Sequence, residues 1–307
     1  MSIFVAGTGR CGTTRLAGVL GSHPDVYALP DESRFLVDPG GLEDLVDDLT
    51  TRYTTFHAAE AVERFDRLAR AVLRCEGDYS GRQPDSLGEA PLDRFLDRIV
   101  AFRFEESGPR AGRKVVVGRY FEERSDLVTL ARELVEEMFG GARDVAERSV
   151  WCEKTPYNLL SMPFLWELFP EAAIVHIKRD PRGVANSMAR MWWAPDDIAG
   201  VIAWLTDTYR RWLDLRDRID FTGRRYVEVR VEDLAADPAS RAALLEGLGL
   251  RDAPLEDWFD DRVNWWNRPN GMPAEWRARV EDELGWAIEA MGYDGDMRSP
   301  GPTGCAG

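Results

Sequence analysis

Histidine and cysteine are scarce in this 307-residue chain, with three of the first and four of the second. Cys11, Cys75, Cys152 and Cys305 lie far apart and form no CxxC pair. That spacing suits neither a disulfide framework nor a zinc site, so no metal is expected and the thiols read as reduced, in a cytoplasmic protein. Basic side chains are also short, 39 against 54 acidic, for a net charge of -15. A field of that sign repels nucleic acid and anionic membrane wherever basic residues do not cluster, so neither is an expected partner. No window approaches the roughly 18 consecutive apolar residues of a membrane span. Residues 1–6 run into an apolar stretch without a charged leader, so no export signal is read. What the chain does have is 44% hydrophobic residues and enough length for a large core, read as a single domain over residues 1–307.

Ile3-Phe4-Val5-Ala6 is an apolar run that stops at Gly7, and Leu16, Val19 and Leu20 then share one helical face. The order is strand, glycine loop, helix. Gly21, Ser22 and Pro24 end that helix before a second short strand, Val26-Tyr27-Ala28. Two further strands are predicted at Ala173-Ile174-Val175-His176-Ile177 and at Tyr226-Val227-Glu228-Val229-Arg230, the latter leading through a turn to a helix over 239–247. Helical spacing separates them, as in Leu127, Leu130, Leu134, Val135 and Met138, and again from Ile198 through Val201, Leu205 and Trp212 to Leu213. This alternation predicts an α/β fold, a P-loop-like parallel sheet flanked by helices. Residues 36–149 are less regular and rich in charge, and read as a largely helical insertion with loops at 77–91 and 107–112. Residues 294–307, mostly Gly, Pro, Ser and Asp, read as a disordered tail.

The segment Gly7-Thr8-Gly9-Arg10-Cys11-Gly12-Thr13-Thr14 follows a strand and opens a helix, so its amides can converge on an anion reinforced by the helix dipole. Its glycine spacing matches the nucleotide-triphosphatase loop GxxxxGK[ST], but Thr13 stands at the lysine position and the basic residue is Arg10. A second anion site is read at Arg179-Asp180-Pro181-Arg182, where a strand gives way to a helix start and Ser187 follows eight positions after Arg179. Arginine offers a planar fork for phosphate oxygens, and the serine adds a hydroxyl. On these residues alone, a P-loop nucleotide kinase or triphosphatase and a non-catalytic nucleotide-binding protein both stay open.

Arg10-Cys11-Gly12-Thr13-Thr14 resembles the [KR]-[SC]-G-T-T loop of sulfotransferases that use 3′-phosphoadenosine-5′-phosphosulfate (PAPS), with Cys11 where serine is more usual. Arg179 to Ser187 is similar to their R-D-P-R-x-x-x-x-S segment, and residues 226–247 to their R-Y-E-D-L, D-P and L-x-x-L-G-L pattern. The resemblance covers residues 1–36 and 148–293. It implies that Arg10 and the amides of Gly12, Thr13 and Thr14 hold the 5′-phosphosulfate, that Arg179 and Ser187 hold the 3′-phosphate, and that Lys154 stabilises charge at the transferring group. In the cytosolic branch a histidine two residues after the lysine is the base, but here Lys154-Thr155 leads to Pro156. His23-Pro24-Asp25-Val26 followed by Glu32-Ser33-Arg34 resembles instead the tyrosylprotein and carbohydrate branch, which makes Glu32 the expected general base and Arg34 an assisting or orienting residue. His23 and His176 read as structural. The implied reaction moves a sulfo group from PAPS to a hydroxyl or amine of a small-molecule, glycan or peptide acceptor, releases 3′-phosphoadenosine 5′-phosphate (PAP), and needs no metal. The insertion would shape the acceptor pocket.

Overall fold

The computed structural model describes residues 1–76, 87–105, 112, 114–267 and 271–293. The first half carries β1 (Ser2–Ala6), α1 (Thr13–Gly21), β2 (Val26–Ala28), α2 (Leu42–Leu49), α3 (Thr55–Leu73), α4 (Ala90–Ile99), β3 (Val100–Glu105), β4 (Lys114–Gly118), α5 (Arg124–Val135) and α6 (Gly141–Val145). The second half carries β5 (Val150–Lys154), α7 (Met162–Leu168), β6 (Ala173–Lys178), α8 (Pro181–Met188), α9 (Ile198–Arg216), β7 (Arg225–Arg230), α10 (Val231–Ala236), α11 (Pro238–Gly247) and α12 (Ala274–Ala290).

Five strands form one parallel sheet in the order β2-β5-β1-β6-β7. Every residue of β1 is buried, as a central strand covered on both faces requires. From β1 the chain crosses to β2 on one side and, later, to β6 and β7 on the other. The sheet is therefore an α/β sheet with a switch point at β1, and ligands of such sheets bind at the carboxyl edge of that point.

The sheet has one strand more than the sequence pattern predicts. β5 lies between β2 and β1, yet Val150-Trp151-Cys152 is cut short in the sequence by Glu153 and Lys154, which read as surface charge. Both are buried instead, each with polar partners at the strand's end: Asp31 and Glu32 for Lys154, and Ser33, Thr155 and Asn158 for Glu153. Residues 231–236, expected as a turn, coil into α10 directly after β7.

Trp151 of β5 anchors the core on the β1 side. Its ring meets Phe4, Phe139 and Phe169 edge to face, each at a centroid distance of 5.3 Å, and its Nε1–H donates to Glu136 Oε2 at 2.9 Å. Such edge-on contacts use the ring quadrupole, and the hydrogen bond satisfies the one polar group that burial would otherwise strand.

Between β2 and β5 the chain runs through α2 to α6 and the antiparallel ribbon of β3 and β4, with β4 packed on α3. The loop expected at 77–91 lies largely outside the described residues, but its last two positions open α4, with Pro91 in the first turn where its missing N–H is not needed. The loop at 107–112, apart from Gly112, and the tail at 294–307 also lie outside the described residues. Among the described residues no helix is long and apolar enough to cross a membrane.

Trp151→Ala is expected to cost about 3–5 kcal/mol of stability, the usual toll of emptying a large aromatic site. Trp151→Phe should cost less. Urea unfolding checks both; a loss below about 1 kcal/mol for the alanine variant would show that the ring cluster is not the anchor.

Candidate active site

The loop after β1 is shaped by backbone geometry that few side chains tolerate. Gly9, Arg10 and Gly12 all have positive φ, at 80°, 55° and 107°. Gly12 is the N-cap of α1 and has no side chain to cap the first amides, those of Thr13 and Thr14 among them, at the positive end of the helix. Gly7 is needed for a different reason. A β-carbon there would stand 2.9 Å from the carbonyl oxygen of Ile177 on β6 and 2.3 Å from Cys11 Sγ. Gly7 N–H donates to the Pro156 carbonyl at 2.9 Å, which ties the loop to the turn after β5. Cys11 fills the serine position as a fully buried thiol, and burial pushes its pKa up.

The arginine corner forms where β6 hands over to α8. Asp180 is buried, caps α8 by accepting from Arg182 N–H at 2.8 Å, and holds the Arg182 guanidinium at 2.8 Å, while its own N–H donates to Glu232 Oε1 at 3.1 Å. On this fixed turn, Arg179 Nη1 donates to the Arg10 carbonyl at 3.1 Å and Nη2 to the Val263 carbonyl at 2.7 Å. Arg10 Nε donates to Ser187 Oγ at 3.2 Å. Arg10, Arg179 and Ser187, read from two motifs some 170 residues apart, thus share one corner. Burial lowers the pKa of Arg179, and its Nε is buried without a hydrogen-bond partner among the described residues.

A cleft of about 250 Å³ opens beside this corner, lined by Cys11, Gly12, Arg15, Arg179, Phe259 and Arg262 among others. Phe259 lies so close that a β-carbon on Gly12 would come 2.8 Å from its ring. Residues 259–263 therefore roof the loop. Sequence reading assigned no contact to that segment, since only the folded chain brings it over the glycine loop.

Lys154, at the end of β5, has a side chain 5% exposed. Its Nζ lies 3.5 Å from Glu32 Oε1 and 3.3 Å from Asp31 Oδ1. The expected base and lysine are thus together, and Asp31, given no role in the sequence, joins them. Burial raises the pKa of Glu32, and this outweighs the opposing effect of Lys154. Arg34 sits at φ 53° with its N–H donating to Thr155 Oγ1 at 3.3 Å and its Nε to Asp38 Oδ2 at 2.7 Å. Its guanidinium is thus engaged with the carboxylate one helical turn on.

Behind this group lies Glu153, fully buried and not singled out by sequence. Its Oε1 accepts from Ser33 N–H (3.1 Å), Ser33 Oγ (2.9 Å) and Thr155 Oγ1 (2.7 Å), and its Oε2 from Asn158 Nδ2 (2.6 Å).

The two buried histidines serve structure. His23 Nδ1 accepts from Asp25 N–H at 3.0 Å, so its Nε2–H donates to the Arg251 carbonyl, also at 3.0 Å. His176 packs edge-on against Trp212 and meets the Tyr226 hydroxyl at 3.0 Å. Among the described residues no group of three or more His, Cys, Asp or Glu is placed to hold a metal ion.

Comparison with known proteins places these features in context. The chain is 30% identical over 165 residues to omega-hydroxy-beta-dihydromenaquinone-9 sulfotransferase Stf3 of Mycobacterium bovis, an alignment spanning 48% of this chain and 42% of that protein. The chain therefore matches less than half the length of that relative. Among solved structures, the sulfotransferase domain of the Synechococcus PCC 7002 olefin synthase aligns with 96% of this chain and 95% of its own, at 18% identity and a TM-score of 0.46. Sulfotransferase STF1 of Mycobacterium tuberculosis H37Rv aligns with 93% of this chain and 76% of its own, at 16% identity and a TM-score of 0.44. A model of the Sulfotransferase family matches residues 2–254, from β1 to beyond α11, and the chain belongs to that family.

Proposed function

We propose that this protein transfers a sulfo group from PAPS to a hydroxyl or amine of a small-molecule, glycan or peptide acceptor, with Glu32 as general base. The observation that carries the reading is the convergence of Arg10, Arg179 and Ser187 at the same sheet edge as the Lys154–Glu32 pair. The corner also fits a phosphate by its chemistry. A buried guanidinium with an unpartnered Nε beside a 250 Å³ cleft calls for an anionic acceptor of hydrogen bonds. Thr13 at the lysine position of a triphosphatase loop argues against the kinase reading. A carboxylate and lysine paired at the site argue against a protein that binds nucleotide without turnover.

PAPS, when bound, supplies the sulfo group and leaves as PAP. Arg10 and the amides of Gly12, Thr13 and Thr14 would hold its 5′ end, and Arg179 and Ser187 its 3′-phosphate. Lys154 would place positive charge where negative charge gathers, a preorganised form of stabilisation in a dry site. Glu32 Oε1 would take the proton of the acceptor hydroxyl or amine. A carboxylate base follows the tyrosylprotein and carbohydrate branch, since Pro156 offers no imidazole. The insertion over 36–149 would shape the acceptor pocket. The mycobacterial relative is named for an omega-hydroxy quinone, so hydroxyl acceptors come first in a screen with labelled PAPS. Free, buried thiols at Cys11 and Cys152 suit a cytoplasmic setting.

PAP at about 100 times its dissociation constant should stabilise the protein by about 2.7 kcal/mol in a thermal-shift titration. Protection by ATP with magnesium and none by PAP would overturn the reading. Arg179→Ala should weaken PAP binding about 10- to 100-fold, as the loss of a charged hydrogen bond does, and slow every acceptor alike. A loss confined to one acceptor would contradict its place at the 3′-phosphate.

Glu32→Gln should leave PAP affinity intact and lower turnover by about 10²- to 10⁴-fold, the usual worth of a general base. Because Glu32 must be deprotonated to act and its pKa is raised, turnover should climb with pH along an acid limb lying above the ordinary glutamate value of about 4.3. The glutamine variant should lack that limb. Unchanged turnover in Glu32→Gln would remove it from the mechanism.

A further inference from the structure

The Glu153 carboxylate joins three separate pieces of the site. Oε1 holds the backbone and hydroxyl of Ser33, next to Glu32 in the chain, and also the hydroxyl of Thr155, next to Lys154. Oε2 holds Asn158, whose Nδ2 also reaches the Val5 carbonyl of β1, two residues before the phosphate loop, at 3.3 Å. All four donors are neutral groups, and the carboxylate is fully buried. Burying a charge among neutral donors is costly unless each lone pair is used, and here both oxygens are. A neutral glutamine could serve only one side, because its amide N–H₂ would face either the Ser33 and Thr155 donors or the Asn158 amide. A carboxylate, with acceptor lone pairs on both oxygens and no N–H, can accept from every side.

We infer that Glu153 is a positioning residue for sulfo transfer: its buried carboxylate clamps the loop that carries Glu32 against the end of β5 that carries Lys154. The inference rests on the reading of Glu32 as the base. Thr155 extends the clamp by one link, donating to Glu153 and accepting from Arg34 N–H, so residues 33 and 34 are both held by their amides. A loop fixed at consecutive amides beside a catalytic group keeps that group within the small tolerance that transfer chemistry needs.

The charged groups that act most strongly on Glu32 are Lys154 and Glu153 from β5 and Arg34 and Asp31 from its own loop. Burial outweighs Lys154 in setting its pKa. A loosened loop therefore exposes Glu32 to water and lowers its pKa toward that of an ordinary carboxylate, even as contact with Lys154 weakens.

The test uses the full chain labelled with ¹³C at the glutamate side-chain carboxyl, with Glu32→Gln to assign the Glu32 signal. In Glu153→Gln, Glu32 should titrate at lower pH than in the parent, and the Ser33 and Arg34 amides should exchange with deuterium more than about tenfold faster, as expected of a locally opened segment. PAP affinity should stay within about twofold, since the Arg179 corner is held by other contacts. Loss of the Glu153 charge lowers the Glu32 titration by itself, so in this variant the clamp is read from the amides: a lower melting temperature with unchanged Ser33 and Arg34 exchange marks a merely structural role and would overturn the inference. Should Glu153→Gln fail to fold, Ser33→Ala removes a single donor from Oε1. It should shift the Glu32 titration in the same direction by a smaller amount, and no shift would overturn the inference. Unmoved amide exchange in Glu153→Gln or an unmoved Glu32 titration in Ser33→Ala, which keeps the Glu153 charge, with turnover lost in Glu32→Gln, rejects the clamp alone; full turnover in Glu32→Gln rejects the base and the clamp's purpose with it.

Discussion

Parallel pairing of β5, β1 and β6 is the constraint on which everything else in the molecule depends. The register sets Val5 opposite Lys154 and Ala6 opposite His176, so three strands end almost level. Neighbouring strands lie about 4.8 Å apart, and side chains leaving their ends share one small volume. Lys154, the glycine loop and Arg179 emerge there as direct consequences of that register. A slip of one residue would turn Lys154 to the other face of the sheet and separate it from Glu32.

Crowding charged groups at a sheet edge carries a desolvation cost, and the structure meets it with specific partners. Asp180 is paired with Arg182 and Lys154 with Asp31 and Glu32, while Glu153 accepts four hydrogen bonds from neutral donors. Buried charges seldom add net stability when compared with well-packed apolar groups. Their use here is geometric, because each partner has one good position and so defines where the next residue must sit. Arg179 keeps its buried Nε without a partner among the described residues, in a side chain that lines the cleft.

The same region joins distant parts of the chain. Arg179 reaches the Val263 carbonyl, Gly12 lies under Phe259, and Glu232 accepts both the Asp180 amide and the Tyr293 hydroxyl. The carboxyl-terminal third thus closes over loops formed by the first and second halves. A net charge of -15 coexists with a local group of arginines, since Arg15, Arg179 and Arg262 line the cleft and Arg179 reaches the Arg10 carbonyl, with Asp260 paired to Arg262 and Asp257 to Arg15.

A family resemblance supplied Glu32 and Lys154 as separate candidates, while sequence alone determined the strand, glycine loop and helix at the amino terminus and the arginine-bearing turn after Ile177. Each of these is local, written in a few consecutive residues whose chain geometry follows from glycine, proline and apolar spacing. Only the tertiary structure revealed β5 as a strand, because its last two residues are charged and the pattern of burial that makes them interior depends on neighbours far away in the chain. The same holds for the Glu153 clamp and for the roof formed by residues 259–263. A buried carboxylate and a solvated one are spelled alike, and what distinguishes them is which donors the fold brings within 3 Å.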